Sequence, residues 1–173
     1  MKKNADRYLT AIFCDDIRHE IGNKLSFMGC YQRELIVAAP IPTALAKLCV
    51  YAIATTPKGK PFKTLTFRVM KDDVDELARL EVPPPGLTEA AQIVDETATR
   101  KSVNTALAFS PFLIEKAMSI RVMADTEEGE ITGPRLLIKI VEGMESATPT
   151  LASPGPAQEA KRTSRKKASP AGK

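Results

Sequence analysis

Met118 to Val141 reads MSIRVMADTEEGEITGPRLLIKIV, and the fold turns on how it is read. Met118 to Ala124 (MSIRVMA) and Leu136 to Val141 (LLIKIV) put apolar side chains at every second position, the period of a strand with one face in a core. Between them DTEEGEITG has the acids and glycines of a turn. The stretch predicts a terminal β-hairpin with Ile120, Val122, Leu136 and Ile138 facing inward.

The same period recurs upstream. Phe62 to Met70 (FKTLTFRVM) turns Leu65, Phe67 and Val69 inward and Thr64, Thr66 and Arg68 outward. Lys47 to Thr55 (KLCVYAIAT) is apolar on both faces, as a central strand would be, with Val50 in the core. Tyr8 to Cys14 (YLTAIFC) is a first strand, and Lys24 to Tyr31 (KLSFMGCY) alternates Leu25, Phe27 and Tyr31 against Ser26, Met28 and Cys30. A short strand, Glu34 to Val37, follows, and APIP then breaks the ladder because proline donates no hydrogen bond. TPKGKP is a turn by composition, and SVNTALAF is a later strand before SPFLIEK.

The middle reads differently. DDVDELARL offers Asp72 or Asp73 as a helix cap, followed by Val74, Leu77, Ala78 and Leu80 at helical spacing, until the prolines of EVPPPG stop it. LTEAAQIVDETA suggests a second helix capped by Thr88. Short strands with turns at regular spacing and few helical runs predict a mainly β chain, an antiparallel β-sandwich with one or two short helices in its middle segment. Leu25, Phe27, Val50, Leu65, Phe67, Val69, Ile120, Val122, Leu136 and Ile138 should be buried between its two sheets. No internal repeat is visible.

Charge divides the chain of 173 residues in two. Residues 1–144 hold 19 Lys and Arg against 19 Asp and Glu, whereas residues 145–173 hold six basic residues and two acids. That C-terminal part, rich in Pro, Ala and Ser, buries too little apolar surface to offset the entropy of ordering itself. It is expected to be a disordered tail on a β-sandwich domain of residues 1–144. Its cluster Lys161, Arg162, Arg165, Lys166 and Lys167 suits weak, non-specific contact with nucleic-acid phosphates or another anionic surface, or else serves as a solubilising terminus.

The densest polar run in the body is DDIRHE. Asp15, Asp16 and Glu20 could hold a hard cation, or His19 could act as a base beside a carboxylate, with Arg18 between them. Glycine and further oxygen donors of a calcium loop are missing, and there is no nucleophile elbow. The run reads better as a turn in which Arg18 pairs with a carboxylate and Gly22-Asn23 reverses the chain before Lys24. No catalytic, cofactor or metal residue is assigned, and no cofactor is expected. Cys14, Cys30 and Cys49 are an odd set inside apolar runs, expected to be reduced, buried thiols of a cytoplasmic protein. No apolar run approaches the roughly 20 residues of a membrane helix, and acids stand where a signal peptide would be cleaved. No membrane association is expected.

The run FCDDIRHEIGNKLSFMGCY resembles the start of a family of uncharacterised bacterial and bacteriophage proteins, a domain of unknown function. In that family a first strand ends in an acid, a Gly-Lys turn follows, and a second strand ends in Gly and an aromatic. Here these are Cys14-Asp15-Asp16, Gly22 to Lys24 with Asn23 interposed, and Gly29 to Tyr31. FSPFLIEKAMSIRVMADTEEGEITGPRLLIKI is similar to the family's closing strands. The likeness spans roughly the first 70 residues and the last 40 of the body. It implies an immunoglobulin or C2-like sandwich and a bacterial or phage origin, and brings no catalytic residues with it. Together these readings give a non-enzymatic accessory or interaction module with an unknown protein partner. The alternatives are a nucleic-acid-associated protein using its tail, and a metal-dependent or hydrolytic enzyme centred on DDIRHE.

Overall fold

The computed structural model describes residues 6–84, 87 and 97–141, which are mainly β-strand. The chain runs through β1 (Tyr8–Cys14), β2 (Asp16–Glu20), β3 (Lys24–Met28), β4 (Glu34–Val37), β5 (Thr43–Leu45) and β6 (Leu48–Pro57). It continues through β7 (Leu65–Lys71), β8 (Asp75–Glu81), β9 (Arg100–Phe109), β10 (Phe112–Ile114), β11 (Met118–Thr126) and β12 (Gly129–Ile140). A five-stranded sheet has the order β4-β12-β11-β7-β8 and a three-stranded sheet the order β1-β6-β9. Two-stranded ladders join β10 to β5 and β2 to β3. Every pairing is antiparallel except that of β12 with β4, which is parallel.

Alternation sorts the side chains. β6 sends Leu48, Val50, Ala52 and Ala54 inward, where they meet Leu65, Phe67 and Val69 of β7, Ile120 and Val122 of β11, and Leu136 and Ile138 of β12 in one hydrophobic cluster. These β7, β11 and β12 residues are the inward set the sequence predicts. Leu25 and Phe27 are not part of that cluster; they are half-buried on β3, in the separate β2–β3 ladder. The terminal hairpin is longer than expected, because β11 runs to Thr126 and β12 starts at Gly129, leaving Glu127 and Glu128 as its turn. Gly133 and Pro134 occupy a bulge opposite the step from Arg121 to Met123, which is how a proline is tolerated within β12. A Cβ on Gly133 would lie 2.7 Å from the Val122 carbonyl oxygen and 2.8 Å from Leu9 Cδ2, so only glycine lets β1 approach β12 here.

Two sequence expectations fail, each for a local reason. DDVDELARL is not a helix: Asp75–Glu81 is strand β8. Asp72 (φ 52°) and Asp73 (φ 60°) are the central residues of a turn closed by Val74 N–H to the Lys71 carbonyl at 3.0 Å, and positive φ at both is the geometry that joins hairpin strands. Leu77 is the extra residue of a bulge opposite Val69 and Met70, so the alternation slips by one and imitates a helical stripe. The second expected helix falls largely on residues 88–96, outside the described residues, as does the whole tail. DDIRHE is not a turn either: Asp16–Glu20 is β2, and the reversal occupies Ile21 to Asn23, with Gly22 (φ 82°) and Asn23 (φ 58°) in the left-handed region as the sequence suggests.

Two segments also share a form that their residues conceal. Cis peptides precede Pro42 and Pro111, each leads into a three-residue strand (β5 and β10) and then a long one (β6 and β11). β5 and β10 pair with each other, which places the two segments back to back.

At one end Arg7, 4% exposed, closes the molecule. Its guanidinium donates to Thr56 Oγ1 (3.1 Å), the Lys60 carbonyl (3.1 Å) and Glu127 Oε1 (2.7 Å), and lies 4.8 Å from the centre of the Phe62 ring. The start of β1, the loop after β6 and the β11–β12 turn are thereby tied by one side chain.

Candidate functional site

The β2–β3 hairpin packs on the outer face of the three-stranded sheet, the face opposite the core. β1 and β2 are nearly continuous, broken by a bend at Asp15. At the bend Asp15 N–H donates to the Met28 carbonyl (2.9 Å) and Tyr31 N–H to the Phe13 carbonyl (2.8 Å), which fastens the end of β3 and the residues after it to β1. The Tyr31 hydroxyl donates to the Asp15 carboxylate. Burial and that anion push the Tyr31 hydroxyl's pKa far up. Gly29 (φ 63°) passes beneath this carboxylate, and a Cβ there would collide with it. Phe27 meets Tyr51 of β6 with ring centres 5.1 Å apart.

Beneath the hairpin lies a groove of about 190 Å³ lined by Asp16, Ile17, His19, Lys47, Cys49 and residues 106–108 of β9. Lys47 Nζ stands 2.8 Å from Asp16 Oδ1, and Arg18 Nε 3.2 Å from Oδ2. These two hydrogen bonds, Lys47 first, hold the Asp16 carboxyl below the usual range, and Asp16 in turn raises Lys47. The expected pairing of Arg18 with a carboxylate is present, and its partner is Asp16.

DDIRHE is therefore divided. Asp15 serves the bend, Asp16 the ion pair with Lys47, and Arg18 and Glu20 face solvent. His19 reaches the groove but, among the described residues, has no hydrogen bond to Cys49 or to a carboxylate. Nor do three His, Cys, Asp or Glu side chains gather among the described residues as metal ligands would. Lys161, Arg162, Arg165, Lys166 and Lys167 lie outside the described residues.

Of the three thiols, the sequence reading misplaces one. Cys14 and Cys49 are buried, as expected, but Cys30 is exposed. Cys14 and Cys49 are direct register partners across β1 and β6, and both turn to the outer face under the hairpin. Cys14 Sγ donates to the Asp16 carbonyl (3.5 Å) and Cys49 Sγ to the Asp15 carbonyl (3.7 Å), so the two thiols serve the acceptors of the bend. Burial, reinforced by Cys49, Cys30 and Asp15, pushes the Cys14 thiol up to about 11, and burial also raises Cys49. That is the reverse of what activates a nucleophilic cysteine. Lys47, Tyr31 and Gly29 have no signal in the sequence as site residues, since each acquires its role from a partner distant in the chain.

At the Arg7 end a more open groove of about 540 Å³ is lined by Asp6, Pro57, Gly59, Lys60, Thr99 and Arg100. Its cations are partly engaged: Lys60 lies 3.9 Å from Asp6, and Arg100 donates to the Asp6 carbonyl at 2.8 Å. Among the described residues no helix is long and apolar enough to cross a membrane. The chain matches no protein-family model and no curated protein.

Proposed function

We propose that the chain is a β-sandwich of immunoglobulin or C2-like type that works in the cytoplasm as a non-enzymatic accessory or interaction module of bacterial or phage origin. The sandwich reading is supported by the single cluster into which both larger sheets send their inner faces. The observation that carries the functional reading is the engagement of the polar residues under the hairpin. Asp15 is held by Tyr31, Asp16 by Lys47 and Arg18, and both buried thiols are driven toward the neutral form. Side chains already satisfied by structural partners are poor acids, bases and ligands.

The test pits this reading against a metal-dependent enzyme. Calcium, magnesium and zinc should leave the melting temperature unchanged, since only a bound ligand stabilises by mass action. A rise that Asp15→Asn with His19→Ala abolishes would replace the module reading with a metal site. Partner capture from the host, with and without residues 145–173, should recover the same protein through the body.

The basic cluster supports a second reading, a nucleic-acid-associated protein. With about four or five phosphate contacts, log affinity for duplex DNA should fall with log salt at a slope near −4. Deleting residues 145–173 should abolish binding. Retained binding would move the contact onto the body, where the groove with Lys60 and Arg100 is the place to look.

A further inference from the structure

The chain's three cysteines, at positions 14, 30 and 49, meet in one row across neighbouring chain segments. Phe13 and Asp15 turn their backbone groups away from β6, toward Tyr31 (2.8 Å) and Met28 (2.9 Å). Cys14, between them, therefore turns its own toward β6, which makes Cys14–Cys49 a hydrogen-bonded antiparallel pair. In such a pair the Cα atoms lie about 5.5 Å apart, inside the span of about 4.4–6.8 Å that a disulfide bridges. The Cβ atoms, also about 5.5 Å apart, must close by about 1 Å or more, which strains the bridge and makes it easily reduced. On the far side of Cys14, Gly29 and Cys30 form a bulge opposite it, since Asp15 bonds to Met28 and Phe13 to Tyr31.

Access separates the three. Cys30 is exposed, Cys14 is fully covered, and Cys49, itself 2% exposed, edges the groove beside Lys47. At about 190 Å³ that groove has room for several molecules the size of water, each about 30 Å³, and so admits hydrogen peroxide.

We propose that Cys14 and Cys49 form a reversible dithiol–disulfide site whose oxidant is a peroxide and whose first-reacting thiol is Cys49. The Cys49 thiolate attacks one peroxide oxygen. The O–O bond breaks, hydroxide leaves to be protonated, and Cys49 becomes a sulfenic acid. Cys14 sulfur then attacks that sulfur, the S–O bond breaks, and the hydroxyl departs as water with the Cys14 proton. Two thiols are oxidised by two electrons, and one hydrogen peroxide is reduced to two waters. Raised thiol pKa values keep the thiolate fraction small, so the reaction is slow beside that of an exposed, unperturbed thiol.

The experiment treats the full chain with hydrogen peroxide, unfolds it, alkylates the remaining thiols and maps the peptides by mass spectrometry. The expected product is a peptide pair joining Cys14 to Cys49, lighter by two hydrogens and restored by dithiothreitol. It should form equally in Cys30→Ser. In Cys14→Ser, Cys49 has no partner and should pass to sulfinic and sulfonic acids that dithiothreitol does not reverse. Linkage through Cys30 in the unmodified chain, with none in Cys30→Ser, would overturn the proposal. So would Cys14 and Cys49 that remain alkylatable after Cys30 has been fully oxidised, a readout that needs no variant.

Discussion

On the outer face of the five-stranded sheet Arg68 lies between Asp125 (2.8 Å) and Glu130 (2.5 Å), Arg121 pairs with Asp73 (2.5 Å) and Lys139 with Glu34 (2.6 Å). On the outer face of the three-stranded sheet the corresponding outward positions hold Ile12, Cys14, Cys49, Tyr51 and Ile53. Both sheets rest on the same inner cluster, yet among the described residues only the second has a hairpin folded over it. A face of paired ions is compatible with water and needs no cover, whereas thiols and aromatic rings gain from being covered. The difference concentrates the groove, the ion pair and the cysteine row on one side of the molecule.

That comparison can be broken first at its shared support. Phe67 is fully buried, so Phe67→Ala should cost about 3–5 kcal/mol in chemical denaturation. A loss below about 1 kcal/mol would mean that the inner cluster does not carry both sheets. Arg7 is next, because removing one partner of a buried ion pair leaves the other uncompensated. Arg7→Ala should cost roughly 3 kcal/mol, the low end for such pairs, since Glu127 keeps a side-chain exposure of 21%.

The same pair sets an acid limit. Burial by itself would raise the Glu127 carboxyl, but hydrogen bonds from Arg7 and from the Thr64 and Lys63 amides outweigh it and hold the pKa at about 2. The folded value lies below the ordinary 4.5, so the stabilisation is complete above that pH and is lost as pH falls toward about 2. Thermal melts across this window should fall steeply for the unmodified protein and flatten in Arg7→Ala.

Smaller effects separate the two faces. Gly29→Ala forces a side chain into the left-handed region against Asp15 and should cost about 1–3 kcal/mol. Hydrogen exchange should quicken in the β2–β3 ladder and stay unchanged in the five-stranded sheet. Arg68→Ala should cost roughly 1 kcal/mol or less, and the difference should shrink at high salt, because its partners are partly solvated. A larger, salt-independent loss would show that the ionic face is as dependent on burial as the covered one.

What could be read in the sequence follows the range of the interaction. β1, β4 and the inward residues of β7 are legible because alternation is local. β8 is not, since two aspartates at positive φ and a bulged Leu77 shift its pattern within a few residues. β2 is hidden because Asp16 to Glu20 is largely exposed and polar, and its apolar content is Ile17 alone. The pairing of Cys14 with Cys49 and of Asp16 with Lys47 depends on β1–β6 register and on where the hairpin lands, neither of which any short window contains.

The parallel pairing of β4 with β12 has a consequence for the order of assembly. Glu34 meets Leu137 and Val37 meets Ile140, so β4 cannot find its neighbour until nearly the whole described chain has been synthesised and β12 is in place. The β7–β8 and β11–β12 hairpins close short loops at little entropic cost, whereas β4 must close a very long one. Refolding should therefore build the five-stranded sheet from its two hairpins and dock β4 last. Pulse-labelled exchange would register this as late protection of the amides of Leu35 and Val37, and early protection there would reverse the order.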